Sequence, residues 1–346
     1  MTTTPTVPVA PDLAQQSAKL LGHYAGYLGT WTIDLGLCSG ALRTLAASPH
    51  PLDATALAET TGLDTQYALV WARSAYAAGV LDLVDGGYLL APHMATLLLD
   101  SDAPGYLGGI ARTFTALRET FLDLRTFLST GQRQWWSDFD PEWIAAVGDS
   151  GQAFYRRMLN LVVPKLPAVQ ERLAAGCHVL DLACGTCNGP LKFARAFPRT
   201  SFTAVDGDAY TLSRAGENLD GMGLGGRFTL LHSALEELAL RDLADVAIIN
   251  ISLHEARDVE RVVANARRAL REGGVFLVSE FPFPETLEAC RALPAQIMCG
   301  IQFFEAHIGR QLLPANRFVQ LLEKAGFRDV AAIDVTPVHT VIHGTK

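Results

Sequence analysis

The chain has 346 residues, of which 49% are hydrophobic and 18% charged, and its formal net charge is -8. At roughly 100 to 200 residues per domain, that length predicts two domains with separate cores. The acidic balance argues against nucleic acid, or any other partner held mainly through its phosphates.

Residues 1–11 contain neither a basic n-region nor an apolar h-region, and they read as a disordered tail. No later segment offers about 20 uninterrupted apolar residues. A soluble cytoplasmic protein without a membrane partner is therefore expected. From Asp12 the apolar residues recur at helical spacing (Leu20, Leu21, Tyr24, Tyr27, Leu28, Trp31, Leu35), with Asp12 available as a cap. So many large apolar side chains on one helix suit a homodimer interface.

Leu52 to Pro92 reads as a short helix ending at Thr61-Gly62, a second helix from Thr65 to about Ala78, and two short strands around Asp85-Gly86-Gly87. That order is a winged helix. A DNA-reading winged helix needs cations on its second helix, and this one carries only Arg73. Packing is the expected role. Further helices run from about Tyr106 to Leu173, interrupted by the aromatic loop GQRQWWSDFDPEW and by Pro164 and Pro167.

After Gly176, short apolar runs alternate with helical ones: HVLDLA, FTAVD, RFTLLH, DVAIIN and GGVFLVSEF, then a helix from about Ala315 to Ala325, DVAAIDV and HTVIH. This is the pattern of an α/β domain whose parallel strands are covered on both faces, and the last two strands form an antiparallel hairpin at one edge. The expected division is a helical winged-helix domain over residues 12–168, serving as dimerisation and lid domain, and an α/β domain over 169–346.

In such sheets the first strand-to-helix turn is the usual ligand cradle. Here it is Asp181-Leu-Ala-Cys-Gly-Thr-Cys-Asn-Gly189. It lacks G-x-G-x-x-G, and its strand-end aspartate would repel a pyrophosphate. The second strand ends in Asp206, placed to accept hydrogen bonds from ribose hydroxyls.

VLDLACGTCNG resembles the first motif, D-x-G-x-G-x-G, of class I S-adenosylmethionine-dependent methyltransferases. With the helical winged-helix region before it, the whole chain resembles the small-molecule O-methyltransferases of that class. The resemblance implies a Rossmann-like seven-stranded domain with S-adenosylmethionine as cofactor, a small, largely apolar acceptor, and a homodimer through the N-terminal domain. It implies cofactor contacts from Asp181, Ala183, Gly185 and Thr186, from Asp206 and Gly207 at the ribose, from Ser233 and Ala234 at the adenine, and from Asn250 and Ile251. Ala183 and Cys187 stand where the family more often has glycine. The Cys184–Cys187 spacing also fits a redox or zinc pair, but no second pair follows at zinc-site spacing, and the six cysteines (38, 177, 184, 187, 290, 299) are expected as free thiols.

The fourth strand runs into His254-Glu255, just past its carboxyl end. An imidazole there can take a proton from an acceptor hydroxyl near neutral pH, and the pair resembles the His-Asp general base of plant-type O-methyltransferases. Glu305 and His307 lie in the connection before the last helix and are further catalytic candidates. Together His254 and His307 also resemble the iron-holding pair of 2-oxo-acid C-methyltransferases, an alternative chemistry. A third reading is a non-methylating cyclase or regulator that binds the same cofactor. Trp136, Trp143, Phe154, Tyr155, Met158 and Phe304 are the acceptor-pocket candidates, while His339 and His343 read as structural.

Overall fold

The computed structural model describes residues 11–139 and 141–346. All but the last residue of the expected tail 1–11 lies outside the described residues. By compactness the chain forms two units, one running to Asp100 and including Ile110–Thr115, the other comprising Ser101–Gly109 and Ala116–Lys346.

The first unit opens with the helix Leu13–Cys38, whose start is fixed by a capping box in which the Asp12 carboxylate accepts from Gln15 N–H and the Gln15 side chain accepts from Asp12 N–H. Leu13, Leu20, Leu21, Tyr24, Tyr27, Leu28 and Leu35 on this helix are all exposed. Asp53 and Asp64 cap the helices Ala54–Thr61 and Thr65–Ala77. Strands β1 (Leu81–Val84) and β2 (Gly87–Leu90) then pair antiparallel. Asp85 and Gly86 both have positive φ, the requirement of a two-residue type I′ turn, which glycine meets without steric cost. Leu42, Leu45, Leu57, Ala72, Val80 and Leu81 form the core of this unit.

In the second unit a seven-stranded sheet has the order β5-β4-β3-β6-β7-β9-β8. Its strands are β3 (His178–Leu182), β4 (Ser201–Asp206), β5 (Phe228–His232), β6 (Ala244–Asn250), β7 (Leu270–Glu280), β8 (Arg328–Thr336) and β9 (His339–Thr345). β3 to β7 pair in parallel, and β9 runs antiparallel between β7 and β8, which is the expected terminal hairpin. Alternate residues feed two cores. Leu180, Leu182, Ala247, Ile249, Phe276 and Val278 pack on one face, against Val262, Val263 and Phe318. Val179, Val246, Ile248, Val275 and Leu277 pack on the other.

That second face explains where the units divide. Tyr155, Met158, Leu159, Val162 and Val163 share its core with Val179 and Phe202, so residues 155–163 pack onto the sheet. By compactness the division falls near Asp100, and the stretch 155–163 groups with the sheet on which it packs. No described helix is long and apolar enough to cross a membrane.

Candidate active site

The strand order reverses between β3 and β6, and the carboxyl ends of β3, β4, β6 and β7 carry the candidate residues. On the β3–β4 side the site is made mostly of backbone. Ala183, Gly185 and Cys187 take left-handed φ values of 55°, 55° and 61°. Glycine adopts such values freely, whereas a residue with Cβ pays about 1–2 kcal/mol. Ala183 and Cys187 therefore hold a glycine-type backbone with small side chains.

Gly185 N–H donates to Asp206 Oδ2 at 2.9 Å, Asp208 N–H donates to Asp206 Oδ1 at 3.0 Å, and a Cβ built at Gly185 would meet nothing within 4 Å. The loop thus faces open space beside a carboxylate already oriented by two amides. That carboxylate keeps lone pairs free for hydroxyl donors. Burial raises the Asp206 pKa, and the backbone hydrogen bonds oppose the rise. Thr186 is anchored through its carbonyl, which accepts from Asn218 Nδ2. Gly207 C=O lies 3.1 Å from His232 Nε2, and Ser233 N–H donates to Asp206 C=O, which brings Ser233 and Ala234 alongside. Asn250 and Ile251 close the row, Ile251 at φ 53°.

Asp181 lies in the interior at the end of β3. It is fully buried, and both its oxygens accept from the Tyr155 hydroxyl, at 2.9 and 3.0 Å. Burial raises its pKa well above the usual carboxylate range. Its visible partner is the tyrosine, and no ligand-facing atom is left exposed. Tyr155 can lie there because residue 189 is glycine: a Cβ would stand 2.1 Å from the tyrosine ring. Tyr155 therefore packs against the loop 181–189 and not against the aromatic residues near His254. Met158 is likewise removed from the pocket, fully buried in the core below.

The two cysteines of the loop are also interior. Cys184 and Cys187 pack with Leu191, Ala204, Leu212, Ala215 and Leu219. The neighbouring Cys187 thiol and then burial hold Cys184 well above the normal thiol range, as expected of inert structural thiols. All six cysteines are free.

The β6–β7 side is made of side chains. His254 is buried, and its Nδ1 lies 2.6 Å from Glu280 Oε2, while Glu280 Oε1 accepts from the N–H groups of Leu253 and His254. Nε2 lies 3.4 Å from Glu305 Oε1 and 3.9 Å from Glu255 Oε1 and makes no hydrogen bond. Burial alone would lower the His254 pKa, but the carboxylates of Glu280 and Glu305 outweigh it and hold the pKa well above 6.5. The orienting carboxylate is thus Glu280, not Glu255. Glu255 instead accepts from Trp136 Nε1 at 2.9 Å, and burial followed by the Glu305 charge raises its pKa well above normal.

Around this cluster Trp143 stacks on Phe304 at 4.7 Å and on Phe139 at 4.8 Å, and Trp136 meets Trp143 and Phe304 at 5.2 and 5.6 Å. Three of the expected pocket residues, Trp136, Trp143 and Phe304, therefore form one aromatic wall. Phe154 lies elsewhere, edge-on to Phe281 and His339.

His307 does not join His254. Among the described residues, the group with ligand atoms within 4.8 Å of one another is His254, Glu255 and Glu305. His307 packs on Phe127 and Phe139, and neither ring nitrogen has a hydrogen-bond partner among the described residues. The reason is helical geometry. Glu305 and His307 lie two apart on the helix Leu293–His307, so when Glu305 faces His254 the histidine faces away. The alternative two-histidine iron pair is not brought together here.

Sequence reasoning missed Glu280, Phe139 and Phe281. Glu280 carried a positional signal, since it ends a strand as Asp206 and Asn250 do.

The family model described as "Methyltransferase domain" matches residues 179–274. The chain is 31% identical over 186 residues to the ubiquinone/menaquinone biosynthesis C-methyltransferase of Syntrophotalea carbinolica, an alignment covering 50% of this chain and 78% of that one. Among solved structures, an O-methyltransferase family protein from Burkholderia thailandensis superposes with a TM-score of 0.65 at 19% identity, covering 97% of this chain and 99% of that one. Human N-acetylserotonin methyltransferase, solved with SAM, gives a TM-score of 0.65 at 18% identity over 98% and 99% of the two chains.

Proposed function

Because the chain belongs to the class I S-adenosylmethionine-dependent methyltransferases, we propose that it methylates a small, largely apolar acceptor at a hydroxyl oxygen, with His254 as the proton acceptor. The observation that carries this reading is the His254 ring: Nδ1 is committed to Glu280 at 2.6 Å, while Nε2, 3.4 Å from Glu305 Oε1 and with no hydrogen bond among the described residues, stands at the ligand end of the sheet.

Bound S-adenosylmethionine supplies a methyl group already activated on a sulfonium, so the protein's task is positioning and proton removal. Asp206 receives the ribose hydroxyls, and the left-handed turn Ala183–Cys187 lets the backbone approach the ligand closely. Trp136, Trp143 and Phe304 hold the apolar body of the acceptor. His254 takes the acceptor proton at Nε2, and Glu280 stabilises the imidazolium that forms. Glu255 and Glu305 bracket the same nitrogen.

The test is His254→Ala, assayed with S-adenosylmethionine and candidate hydroxylated acceptors. Turnover is expected to fall at least ~100-fold, with cofactor affinity by calorimetry unchanged. A fully active variant means that another group is the base.

We further propose that the protein is a homodimer through the helix Leu13–Cys38, supported by its seven exposed large apolar side chains Leu13, Leu20, Leu21, Tyr24, Tyr27, Leu28 and Leu35. Sedimentation velocity is expected to give a dimer for the native chain and a folded monomer for Tyr24→Glu/Leu28→Glu. A dimer that survives both charges lies on another surface.

A further inference from the structure

Three buried side chains at the ligand end of the sheet form a polar row that the chemistry above leaves unused. His339 Nε2 lies 2.9 Å from Ser279 Oγ, and the Ser279 hydroxyl donates to Asn250 Oδ1 at 2.7 Å. The three come from adjacent strands: Asn250 ends β6, Ser279 is its register partner near the end of β7, and His339 opens β9, which pairs with β7. Asn250 is nearly buried, and Ser279 and His339 are fully buried.

The proton positions in this row are constrained. Burial, aided by the Arg157 charge, pushes the His339 pKa down to about 3, so the ring is neutral and carries one proton. Ser279 has one hydrogen and gives it to Asn250 Oδ1. Its oxygen is then left to accept from His339 Nε2–H. Asn250 consequently points Oδ1 into the row and Nδ2 outward. The outer side agrees, because the group there is the Gly151 carbonyl, 3.5 Å from Nδ2. A flipped amide would set two oxygens against each other. At 3.5 Å that contact is weak, so the amide retains donor capacity.

We propose that Ser279 and His339 are positioning residues of the cofactor site. Acting through Ser279, His339 holds the Asn250 amide so that it presents only N–H donors to the ligand end of the sheet, where they bind a carboxylate, the one at the amino-acid end of S-adenosylmethionine. Hydrogen bonds in a chain polarise one another, so the row also strengthens the terminal donor. This inference rests on the cofactor reading above.

The experiment measures dissociation constants by calorimetry for S-adenosylmethionine and for its decarboxylated analogue, in the native chain and in Ser279→Ala, His339→Phe and His339→Gln. Binding of S-adenosylmethionine to the native chain is the control, and its absence would defeat the cofactor reading itself. Given that binding, Ser279→Ala and His339→Phe should weaken S-adenosylmethionine about five- to tenfold and the decarboxylated analogue less than about twofold. His339→Gln, which retains an N–H donor, should recover most of the affinity. Equal losses for both ligands would reduce the row to a packing device, and no loss for either would show that Asn250 is held by other means. Both results overturn the proposal. Ser279→Ala removes a single buried oxygen, so it keeps the test valid if Phe at 339 disrupts folding.

Discussion

The two sides of the ligand end are built on different principles. On the β3–β4 side, residues 181–187 and 206–208 act largely through backbone: three left-handed residues shape the turn, and two amides orient Asp206. On the β6–β7 side, the working atoms are side chains from four separate segments, Trp136, His254–Glu255, Glu280 and Glu305. A backbone cradle tolerates changes of side chain provided the new one is small, which is how Ala183 and Cys187 can stand in for glycine. A cluster of three carboxylates about one imidazole depends on every member, because each charge sets the protonation of the others.

Glu280→Gln tests that dependence and should have the largest effect here. The substitution keeps the shape and removes the charge that orients and stabilises imidazolium, so turnover should fall ten- to a hundredfold. The pH profile should move as well. Carboxylates hold the His254 pKa well above 6.5, so the proton-accepting form builds up only toward alkaline pH, and the acid limb of the native profile lies above 6.5. Losing the Glu280 charge lowers that pKa and shifts the limb to lower pH. The stability sign follows the same shift: the ion pair contributes fully below pH 6.5, and its contribution fades as pH rises through the raised folded-state pKa. A Gln variant whose acid limb stays in place would show that Glu280 does not control the ring.

The backbone side should respond at one side chain above all. Asp206→Ala removes the carboxylate that the two amides orient, and should weaken S-adenosylmethionine at least tenfold, a loss of about 1.4 kcal/mol or more. Turnover at saturating cofactor should change far less. An unchanged dissociation constant would leave the ribose without its acidic partner and break the contrast between the two sides.

How much of this was legible in the sequence follows from the same contrast. Gly185 and Asp206 each stand at or just past a strand end, so they could be read from strand ends and small residues. His254 could be read for the same reason, as a titratable group just past a strand. Its true partner could not. Glu280 lies 26 residues on and meets the ring only because β6 and β7 are neighbours, whereas Glu255 is adjacent in sequence and was the natural choice. Tyr155 and Met158 carried an aromatic and helical pattern that fits pocket or core equally well, and only the packing of their helix against the sheet separates them from Trp143. The pairing of His254 with His307 failed on helix periodicity, which fixes which of two nearby residues can face a given point. Texture marks where strands begin to alternate with helices, but it does not show that residues 155–163 share the sheet's core.

The smallest expected effect lies in the feature that looks most chemical in the sequence. Cys187 is fully buried and sits at φ 61°. Its sulfur packs against Leu191, Ala204 and Leu212, on the interior side of the loop, while the open space lies in front of Gly185. In Cys187→Gly, relief of the left-handed strain, about 1–2 kcal/mol, is offset by the lost packing of one buried side chain and by glycine's greater freedom in the unfolded chain. Stability should therefore change by less than ~1 kcal/mol, and cofactor affinity by less than about threefold, because the backbone keeps its shape and the sulfur does not face the ligand. Thermal unfolding and calorimetry on the same variant check both numbers. A tenfold change in affinity would place the sulfur at the ligand after all, and the cradle would then depend on a side chain, as the acceptor side does.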